Sequence, residues 1–475
     1  MPKPIISIDS FSAGILSDET IPATNGFNFS AGIDLAREPG ILQVNQALTA
    51  MDLDSSITAV WDMKKYSGDS KVYATMGTQL WNYDGTVAAK WGAVTGHDST
   101  SDQGELCDFG GTLYWSSRTG INETNGTVFR NGFLAFTAQD TKWHPKVVYL
   151  GKMMVGDGRY IFTLDADGVA NATALTLPQG YRIRCLEVYG DRLVIGTWRG
   201  TNIYDFNEAT LFTWNGTDAL PTQEWTISES NIHAFFPWRN ILIVFAGTQG
   251  NIYAFNGVTL TKLTQLPYKT VFNNISAWGY VNPKAVVGFR GNLIFGWSHG
   301  VGDYSGLFSL EYQQTEGNFS LNSPLIIPHL ATDNTAFSAM YSDGKNVLYV
   351  QWYDATPGTY GIAQLDTSNR ISSGAYLDTQ IYEIPKDSQA RALQGVEIIA
   401  RPMASVASIW TTIQYKLDNA PSWSDLGKIG WLALETSNQD DIYRGINQRA
   451  KTVQLRIQFQ CSTKNSPEIS AIKIY

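Results

Sequence analysis

ILIVFAGTQGNIYAFNG, residues 241 to 257, is the stretch of the chain that decides its fold. Two apolar runs, ILIVFAG and IYAFN, are separated by a short segment of Gly, Thr, Gln and Asn. Two such runs joined by a few turn residues predict a β-hairpin. Asn256-Gly257, which follows the second run, favours the positive φ angles of a tight turn. The stretch therefore predicts two adjacent antiparallel strands.

The same pattern occurs seven times along the chain. Each copy has an apolar residue, two further residues, an apolar residue or Thr, and then Asp, Asn or Glu. The copies are LWNYD (Leu80), INETN (Ile121), IFTLD (Ile161), IYDFN (Ile203), IYAFN (Ile252), LFSLE (Leu307) and IAQLD (Ile362). Their first residues are 40 to 55 positions apart, and each copy follows a second apolar run introduced by Gly, Asp or Asn.

A hairpin at this interval, with one or two further short strands between hairpins, has the size of a four-stranded propeller blade. We predict an all-β protein whose residues 61–375 form a β-propeller of about seven blades. A sandwich or a stack of unrelated hairpins is the alternative, and near-equal spacing is hard to obtain by chance. The second, fourth and seventh copies are the least regular, which leaves the blade number open by one.

The periodicity ends near Tyr376, and six longer strand-like runs follow. They are YLDTQIYEI, VEIIARPM, SIWTTIQYKLD, GWLALET, KTVQLRIQFQCS and PEISAIKIY. Runs of this length separated by turn-forming residues predict a small β-sandwich over 376–475. Residues 1–60 show neither pattern and are predicted to form an extended N-terminal arm.

Composition and charge exclude several classes of protein. Hydrophobic residues make up 43% of the 475 residues and charged residues only 16%, and the net charge is -9. Residues 1–375 hold this negative charge, so no basic stripe is available to bind the phosphates of a duplex tightly. The N-terminus has no signal peptide and no apolar run is long enough to span a membrane, so we expect synthesis in a cytoplasm and no membrane insertion.

No catalytic, cofactor-binding or metal-binding residue is predicted. The three scattered cysteines are expected to be core thiols, and the five histidines, never spaced as metal ligands, are expected in turns or at the surface. Asp165-Ala166-Asp167-Gly168 resembles half of a calcium loop, but it lacks the remaining ligands. KLDNAPSW, residues 416 to 423, is predicted to be a hairpin turn with a packed Trp.

The arm contains a group of residues that we predict to form a structural turn or an assembly contact: Asp34, Arg37, Glu38, Pro39 and Gly40. Pro39 fixes φ and Gly40 permits a sharp turn, so two extended halves can fold back on each other. Arg37 is expected to bridge Asp34 or a carboxylate of a blade, and a contact to a neighbouring subunit is the alternative.

The order of these parts resembles a known family. FSAGI (residues 11–15), the Arg37-Glu38-Pro39-Gly40 turn before the first blade, WSDLG (residues 423–427) and Ser466-Pro467 before the last strand carry the resemblance. The whole is similar to the β-propeller structural proteins of tailed bacteriophages, namely the tail nozzle or tail accessory ring subunits. The resemblance covers the full length as an arrangement, and its motifs are short.

The resemblance implies a non-enzymatic virion protein located in the phage tail. It implies a homo-oligomeric ring, with sixfold symmetry as one option, that contacts other tail or adaptor proteins and lets DNA pass transiently without specific binding. No cofactor is implied. A glycan-binding propeller for host attachment is the alternative, and a propeller glycosidase is less favoured because the carboxylates at the hairpin ends are explained as turn residues.

Overall fold

The computed structural model describes the chain except for residues 1–3, 17–25, 36, 39, 52–58, 78, 86–90, 95–103, 118–119, 137–142, 201–207, 267–278, 300–304, 314–317, 328–334, 356–357, 385–391, 402–408, 432–440 and 463. Within the described residues, every regular element is a β-strand. The chain folds into a propeller, a sandwich and an arm that joins them.

The arm holds seven short strands. They are β1 (Ile6–Ile8), β2 (Gly14–Ile15), β3 (Gly26–Phe27), β4 (Phe29–Ala31), β5 (Ile33–Asp34), β6 (Gln43–Val44) and β7 (Gln46–Ala50).

The first four blades are sheets of four antiparallel strands, with the order in each sheet following the chain. Blade 1 comprises β8 (Val60–Lys65), β9 (Val72–Met76), β10 (Gln79–Tyr83) and β11 (Gly92–Ala93). Blade 2 comprises β12 (Leu106–Phe109), β13 (Thr112–Ser116), β14 (Gly120–Thr124) and β15 (Phe129–Ala135). Blade 3 comprises β16 (Lys146–Tyr149), β17 (Lys152–Asp157), β18 (Tyr160–Leu164) and β19 (Ala170–Thr176). Blade 4 comprises β20 (Tyr181–Tyr189), β21 (Arg192–Arg199), β22 (Ala209–Trp214) and β23 (Gln223–Ile227).

The last three blades repeat this plan, and two of them take strands from the arm. Blade 5 comprises β24 (Ile232–Trp238), β25 (Ile241–Ala246), β26 (Asn251–Phe255) and β27 (Leu260–Gln265). Blade 6 comprises β28 (Gly279–Phe289), β29 (Asn292–His299), β30 (Gly306–Gln313) and β31 (Asn318–Leu325), followed by β2 and β3. Blade 7 comprises β32 (Thr335–Ala336) and β33 (Met340–Ser342), which both pair with β34 (Leu348–Asp354), then β35 (Thr359–Arg370) and β7.

The seven blades close into a ring. The first strands of consecutive blades, β8, β12, β16, β20, β24, β28 and β33, contact one another in order, and β33 contacts β8. The predicted hairpins are the middle two strands of each blade, so the prediction of a seven-bladed propeller is confirmed. One detail differs. In blade 4 the partner of β21 is Ala209–Trp214, while the repeat copy at 203–207 falls outside the described residues.

Apolar side chains on both faces of each hairpin explain the stacking of the blades. Separate buried clusters lie between neighbouring blades; the one between blades 3 and 4 contains Ile161 and Ile195, for example, and the one between blades 4 and 5 contains Val194 and Val244. Because a short strand cannot bury two apolar faces alone, each blade requires two neighbours. The three cysteines are buried thiols, as expected.

Residues 375–475 form the sandwich together with two arm strands. Its strands are β36 (Ala375–Asp378), β37 (Tyr382–Glu383), β38 (Ala392–Ala400), β39 (Ile409–Leu417), β40 (Ser424–Trp431), β41 (Asp441–Arg449), β42 (Thr452–Gln460) and β43 (Ile469–Ile474). One sheet has the order β1-β43-β38-β41, and the other has the order β4-β36-β42-β39-β40, with β37 pairing β42. Strand β41 lies outside every predicted run because DIYRGINQR has few apolar residues, which suits an edge strand.

The arm is therefore not a separate extension. It adds β1 and β4 to the two sandwich sheets, β2 and β3 to blade 6, and β7 to the outer edge of blade 7. Gly14 shows how closely it packs: its φ is +70°, and a Cβ there would collide with the carbonyl oxygen of Leu321 on β31. One continuous buried cluster runs from blades 5 and 6 through the arm into the sandwich.

Candidate functional site

The predicted turn of the arm reverses the chain between β5 and β6. Ile33 pairs with Val44, and Asp34 pairs with Gln43. The amide of Ile41 donates to the carbonyl of Glu38 at 3.1 Å, and Gly40 has a φ of +83°. The two halves thus fold back on each other as the sequence suggests, while Pro39 lies outside the described residues.

This turn docks on the sandwich. Arg401 forms an ion pair with Glu38 through both terminal nitrogens, and its Nη1 lies 3.2 Å from Oε2 of Glu468. The pKa of the Glu38 carboxyl is lowered by the hydrogen bond from Arg401. Backbone pairing of Leu42 with Ile469 continues the contact toward the core. The pair of Glu38 and Arg401 is exposed, so the backbone contact contributes more to docking.

The side chain of Asp34 contacts the backbone of Arg37. Oδ1 of Asp34 accepts a hydrogen bond from the backbone amide of Arg37 at 3.1 Å. Both residues line a pocket of about 370 Å³ between the arm, blade 6 and blade 7, which we call the junction pocket. Arg290 and Arg370 line it from the two blades, together with Glu311 of β30. Three guanidinium groups and two carboxyl groups therefore surround one cavity.

Two of these arginines also hold the backbone. Arg370 donates to the carbonyl of Val44 through Nη1 and to the carbonyl of Lys464 through Nε at 3.2 Å. Arg290 donates to the carbonyl of Lys345 through Nε at 3.0 Å. Burial lowers the pKa of Arg290 and Arg370, and the positive charge of Arg37 lowers both further. Burial is the main cause of both shifts, and the nearby carboxylate of Asp34 opposes them.

Glu311 is the buried acid of the junction pocket. Its side chain is buried, and Oε1 accepts a hydrogen bond from Ser309 at 2.8 Å, while Oε2 has no partner among the described residues. Burial raises its pKa to about 7, with the negative charge of Asp34 adding to the shift. The carboxyl is therefore partly protonated near neutral pH.

A second group of charged residues lies on the first strands of the blades, around the propeller axis. The ammonium of Lys146 is buried and donates to the carbonyl of Glu105 at 2.9 Å, to Oγ of Ser116 at 2.7 Å and to the carbonyl of His144 at 3.2 Å. The carboxylate of Glu105, also buried, forms an ion pair with Lys284 of blade 6. We call this group the axial ion cluster.

Asp62 completes the axial ion cluster, accepting a hydrogen bond from the amide of Leu106 at 2.7 Å. Burial raises the pKa of Asp62 to about 6 and lowers that of Lys146 to about 8. Burial would also lower the pKa of Lys284, but the charges of Glu105 and Asp62 outweigh it and the pKa is raised. The cations and carboxylates of this cluster therefore compensate one another.

An aromatic cavity of about 390 Å³ also lies on the propeller axis. Side chains of blades 1, 4, 6 and 7 and of the segment before blade 3 line it; they include Trp61, Trp143, Arg184, Tyr280, Asn282, Tyr353 and Tyr360. The rings of Tyr353 and Tyr360 are stacked at 4.3 Å, and Arg184 lies 5.5 Å from the ring of Trp143. We call it the axial cavity.

The structure also tests where the sequence places the histidines. His144 and His233 are buried, so the prediction that the histidines lie in turns or at the surface is wrong for these two. Nε2 of His233 donates to the carbonyl of Gly247 at 2.8 Å, and burial lowers the pKa of His233 to about 3. A buried imidazole can satisfy one backbone group and remain neutral.

The hairpin turn predicted at residues 416–423 is confirmed, and the segment that resembles half of a calcium loop also forms a turn. Oδ1 of Asp165 accepts hydrogen bonds from the amides of Asp167 and Val169, so this carboxylate caps its own turn. The turn between β39 and β40 contains Asp418 and Asn419 with positive φ, and Lys416 lies 4.7 Å from the ring of Trp423.

Sequence reasoning missed Arg290, Glu311 and Arg370, and also the axial ion cluster. These residues come from separate segments and have no fixed spacing, so only the stacking of the blades and the docking of the arm bring them together. Among the described residues there is no group of three potential metal ligands and no helix that could span a membrane.

Comparison with known proteins gives no family. No family model matches the chain, and no curated protein matches it. Among solved structures, an extracellular domain assigned to a one-component system of B. thetaiotaomicron is 14% identical, with a TM-score of 0.45; the match covers 76% of this chain and 44% of that one. This chain thus spans less than half the length of that extracellular domain.

In two other matches, this chain covers nearly the whole of the solved chain. BBS1N in complex with ARL6DN is 15% identical over 68% of this chain and 99% of that chain, with a TM-score of 0.44. A family 43 arabinoxylan arabinofuranohydrolase from Bacillus subtilis is 10% identical over 91% and 96%, with a TM-score of 0.31. At these values the matches say nothing about function, and the fold assignment rests on the strand pairing itself.

Proposed function

We propose that this chain is a non-enzymatic structural subunit of a ring in the tail of a tailed bacteriophage, as a nozzle or head-to-tail component. One observation carries the proposal: the N-terminal arm supplies strands to both sandwich sheets and to blades 6 and 7. A subunit built in this way holds its two domains as one block.

The physical advantage is resistance to load. Separating the sandwich from the propeller would break the pairing of the arm with one of them, either β1 and β4 in the sandwich or β2, β3 and β7 in the blades. It would also expose the continuous cluster that crosses the boundary. Each broken hydrogen bond loses a net contribution of about 0.5–1.5 kcal/mol, because water hydrates the released donor and acceptor. A ring through which DNA is ejected requires subunits that do not hinge.

Electrostatics support the same role. The chain has a net charge of -9, and at the axis the buried Lys146 and the half-buried Lys284 are compensated by Glu105 and Asp62. Affinity for DNA depends largely on cations that release counterions from phosphates. An acidic ring of such subunits would let DNA pass without retaining it.

The test is mass spectrometry of purified particles of the phage whose genome encodes the chain. We expect the polypeptide in the particles at a copy number that matches a closed ring, because heterologous contacts close by rotation. Absence of the polypeptide from particles that contain the portal and other tail proteins would reject the proposal.

The axial cavity favours a second candidate, a site for a neutral glycan used in host attachment. Aromatic faces beside Arg and Asn groups suit sugar rings, which offer both C–H faces and hydroxyls. Trp61→Ala should then abolish signals on a glycan array, while Tyr443→Ala, which removes an exposed ring of the sandwich, should leave them unchanged. An array without signals for the unmodified protein would reject this candidate.

A further inference from the structure

We propose that the junction pocket binds a sugar acid or a sugar phosphate, a small ligand with one oxyanion and neighbouring hydroxyl groups. The site goes beyond the structural role in a tail ring and is independent of it. The argument rests on the charges that surround the cavity, on the buried acceptors at its wall and on its size.

The arginines account for the oxyanion. Arg37, Arg290 and Arg370 reach the cavity from the arm and from two blades. A guanidinium carries five N–H donors. Within the described part of the chain, the bonds of Arg290 use Nε, and those of Arg370 use Nε and Nη1. Donors on the terminal nitrogens therefore remain to bind a carboxylate or phosphate in the planar geometry that arginine favours.

The buried acceptors account for the hydroxyls. Oε2 of Glu311 and Oε1 of Gln46 are buried and have no hydrogen-bond partner among the described residues. Gln46 donates through Nε2 to the carbonyl of Thr367 at 2.8 Å, which fixes its amide. An acceptor requires an O–H or N–H donor, and a simple anion such as acetate does not offer one at neutral pH. A hydroxylated anion satisfies the arginines and the acceptors together.

The size and the wall of the junction pocket fit a single sugar. Its volume of about 370 Å³ is at the lower end of ligand pockets, which are about 300–1,000 Å³. Phe289, Ile294, Leu325 and Leu365 form an apolar part of the lining, against which the C–H groups of a sugar ring can pack. Charged and apolar surface are thus combined in one cavity.

The experiment is isothermal titration calorimetry of the full chain with D-glucuronate and with glucose 6-phosphate. Acetate, sulfate and D-glucose are the control ligands, because each offers only the anion or only the hydroxyls. We expect at least one of the two sugar anions to bind at least about tenfold more tightly than every control, since one hydrogen bond to a charged group contributes about 1.5–3 kcal/mol. Equal affinity for the sugar anions and the simple anions would overturn the proposal.

Arg37→Ala is the first variant, because no hydrogen bond of its guanidinium to a described residue would be lost. It should weaken binding of the sugar anion by about tenfold and leave the melting temperature of the free protein unchanged. Arg130→Ala, which removes an exposed arginine of blade 2, is the matched control and should bind like the unmodified protein. Identical binding by the two variants would overturn the assignment of the site.

Glu311→Gln tests the other half of the site. It should reduce the preference for glucuronate over acetate and leave the affinity for acetate nearly unchanged, because the arginines remain. A variant that retains the full preference would contradict the role of Glu311. An oligosaccharide of alternating glucuronate and N-acetylglucosamine then distinguishes a free sugar from a polymer as the source: tighter binding per site than glucuronate identifies the polymer, and weaker binding identifies the free sugar.

Discussion

The axial ion cluster and the junction pocket both gather buried charged residues from distant segments, yet they differ in balance. At the axis, Lys146 has three oxygen acceptors and Lys284 is paired with the buried Glu105. At the junction, three arginines face one cavity, and Glu311 has an oxygen atom without a partner among the described residues.

The two groups of charged residues therefore have different roles in the same fold. A compensated cluster contributes to the specificity of packing, because a removed partner leaves an isolated buried charge. At the junction, three guanidinium groups face two carboxyl groups, and charged groups with perturbed pKa values in a cleft are candidates for a binding site. The comparison therefore assigns structure to the axis and binding to the junction.

The largest effect is expected from Glu105→Gln. This change leaves Lys284 and the buried Lys146 without the carboxylate that compensates them, so the free energy of unfolding should fall by about 3–5 kcal/mol. Urea denaturation followed by Trp fluorescence measures it. Glu123→Gln is the control on the same blade: its partner Arg130 is exposed, and the loss should be about 1 kcal/mol or less. Equal losses would show that the axial ion cluster is not compensated as described.

Glu311→Gln should have the opposite sign. The carboxyl has a pKa of about 7 in the fold, raised from 4.5 by burial. Between these two values the folded state holds a proton that the unfolded state has released, so stability contributed by this group is lost as the pH rises toward 7. The variant should be more stable than the unmodified protein by about 3 kcal/mol above pH 8 and equal to it near pH 4. Thermal unfolding across this range measures the difference, and a pH-independent difference would contradict the raised pKa.

Substitution of two glycines of the arm tests how closely the backbone of the arm packs on blade 6. Both Gly14 and Gly40 have positive φ, which costs a residue with a Cβ about 1–2 kcal/mol. At Gly14 the Cβ would also collide with Leu321, whereas at Gly40 nothing lies within 4 Å. Gly14→Ala should therefore lower the melting temperature more than Gly40→Ala. The reverse order would mean that the arm is not packed on blade 6.

The smallest effect is expected from Arg401→Gln. Its ion pair with Glu38 is exposed to water and is screened by salt. At a physiological ionic strength of about 0.15 M, the melting temperature of the variant should equal that of the unmodified protein within the error of the measurement. A large decrease would show that this ion pair, rather than the backbone pairing of Leu42 with Ile469, holds the turn on the sandwich.

The sequence predicts the propeller because its signal is local and repeated. Each hairpin, such as β25 and β26, lies within one stretch of apolar residues and turn residues. The N-terminal turn is also predictable, because Asp34 and Gly40 have local conformational preferences. Blade 4 shows the limit: its third strand contains LFTWN (residues 211–215), which fits the repeat pattern as well as IYDFN at 203–207 does, so the pattern alone does not select the strand.

The site is less predictable for a physical reason. Arg290 and Arg370 lie 80 positions apart and meet only after blades 6 and 7 stack. The arm strands are two to five residues long, too short for a periodic signal, and their pairing is decided by the sheets that receive them. The burial of His144 likewise depends on neighbouring segments and not on its own sequence context.

The most direct test of the structural role is a cryo-electron microscopy reconstruction of the intact phage tail. The account predicts density for several copies of this chain in a closed ring around the tail axis, with the propeller and the sandwich in the relative orientation set by the arm. A tail that contains no copies, or that carries the chain only at the tip of a fibre outside any ring, would contradict it.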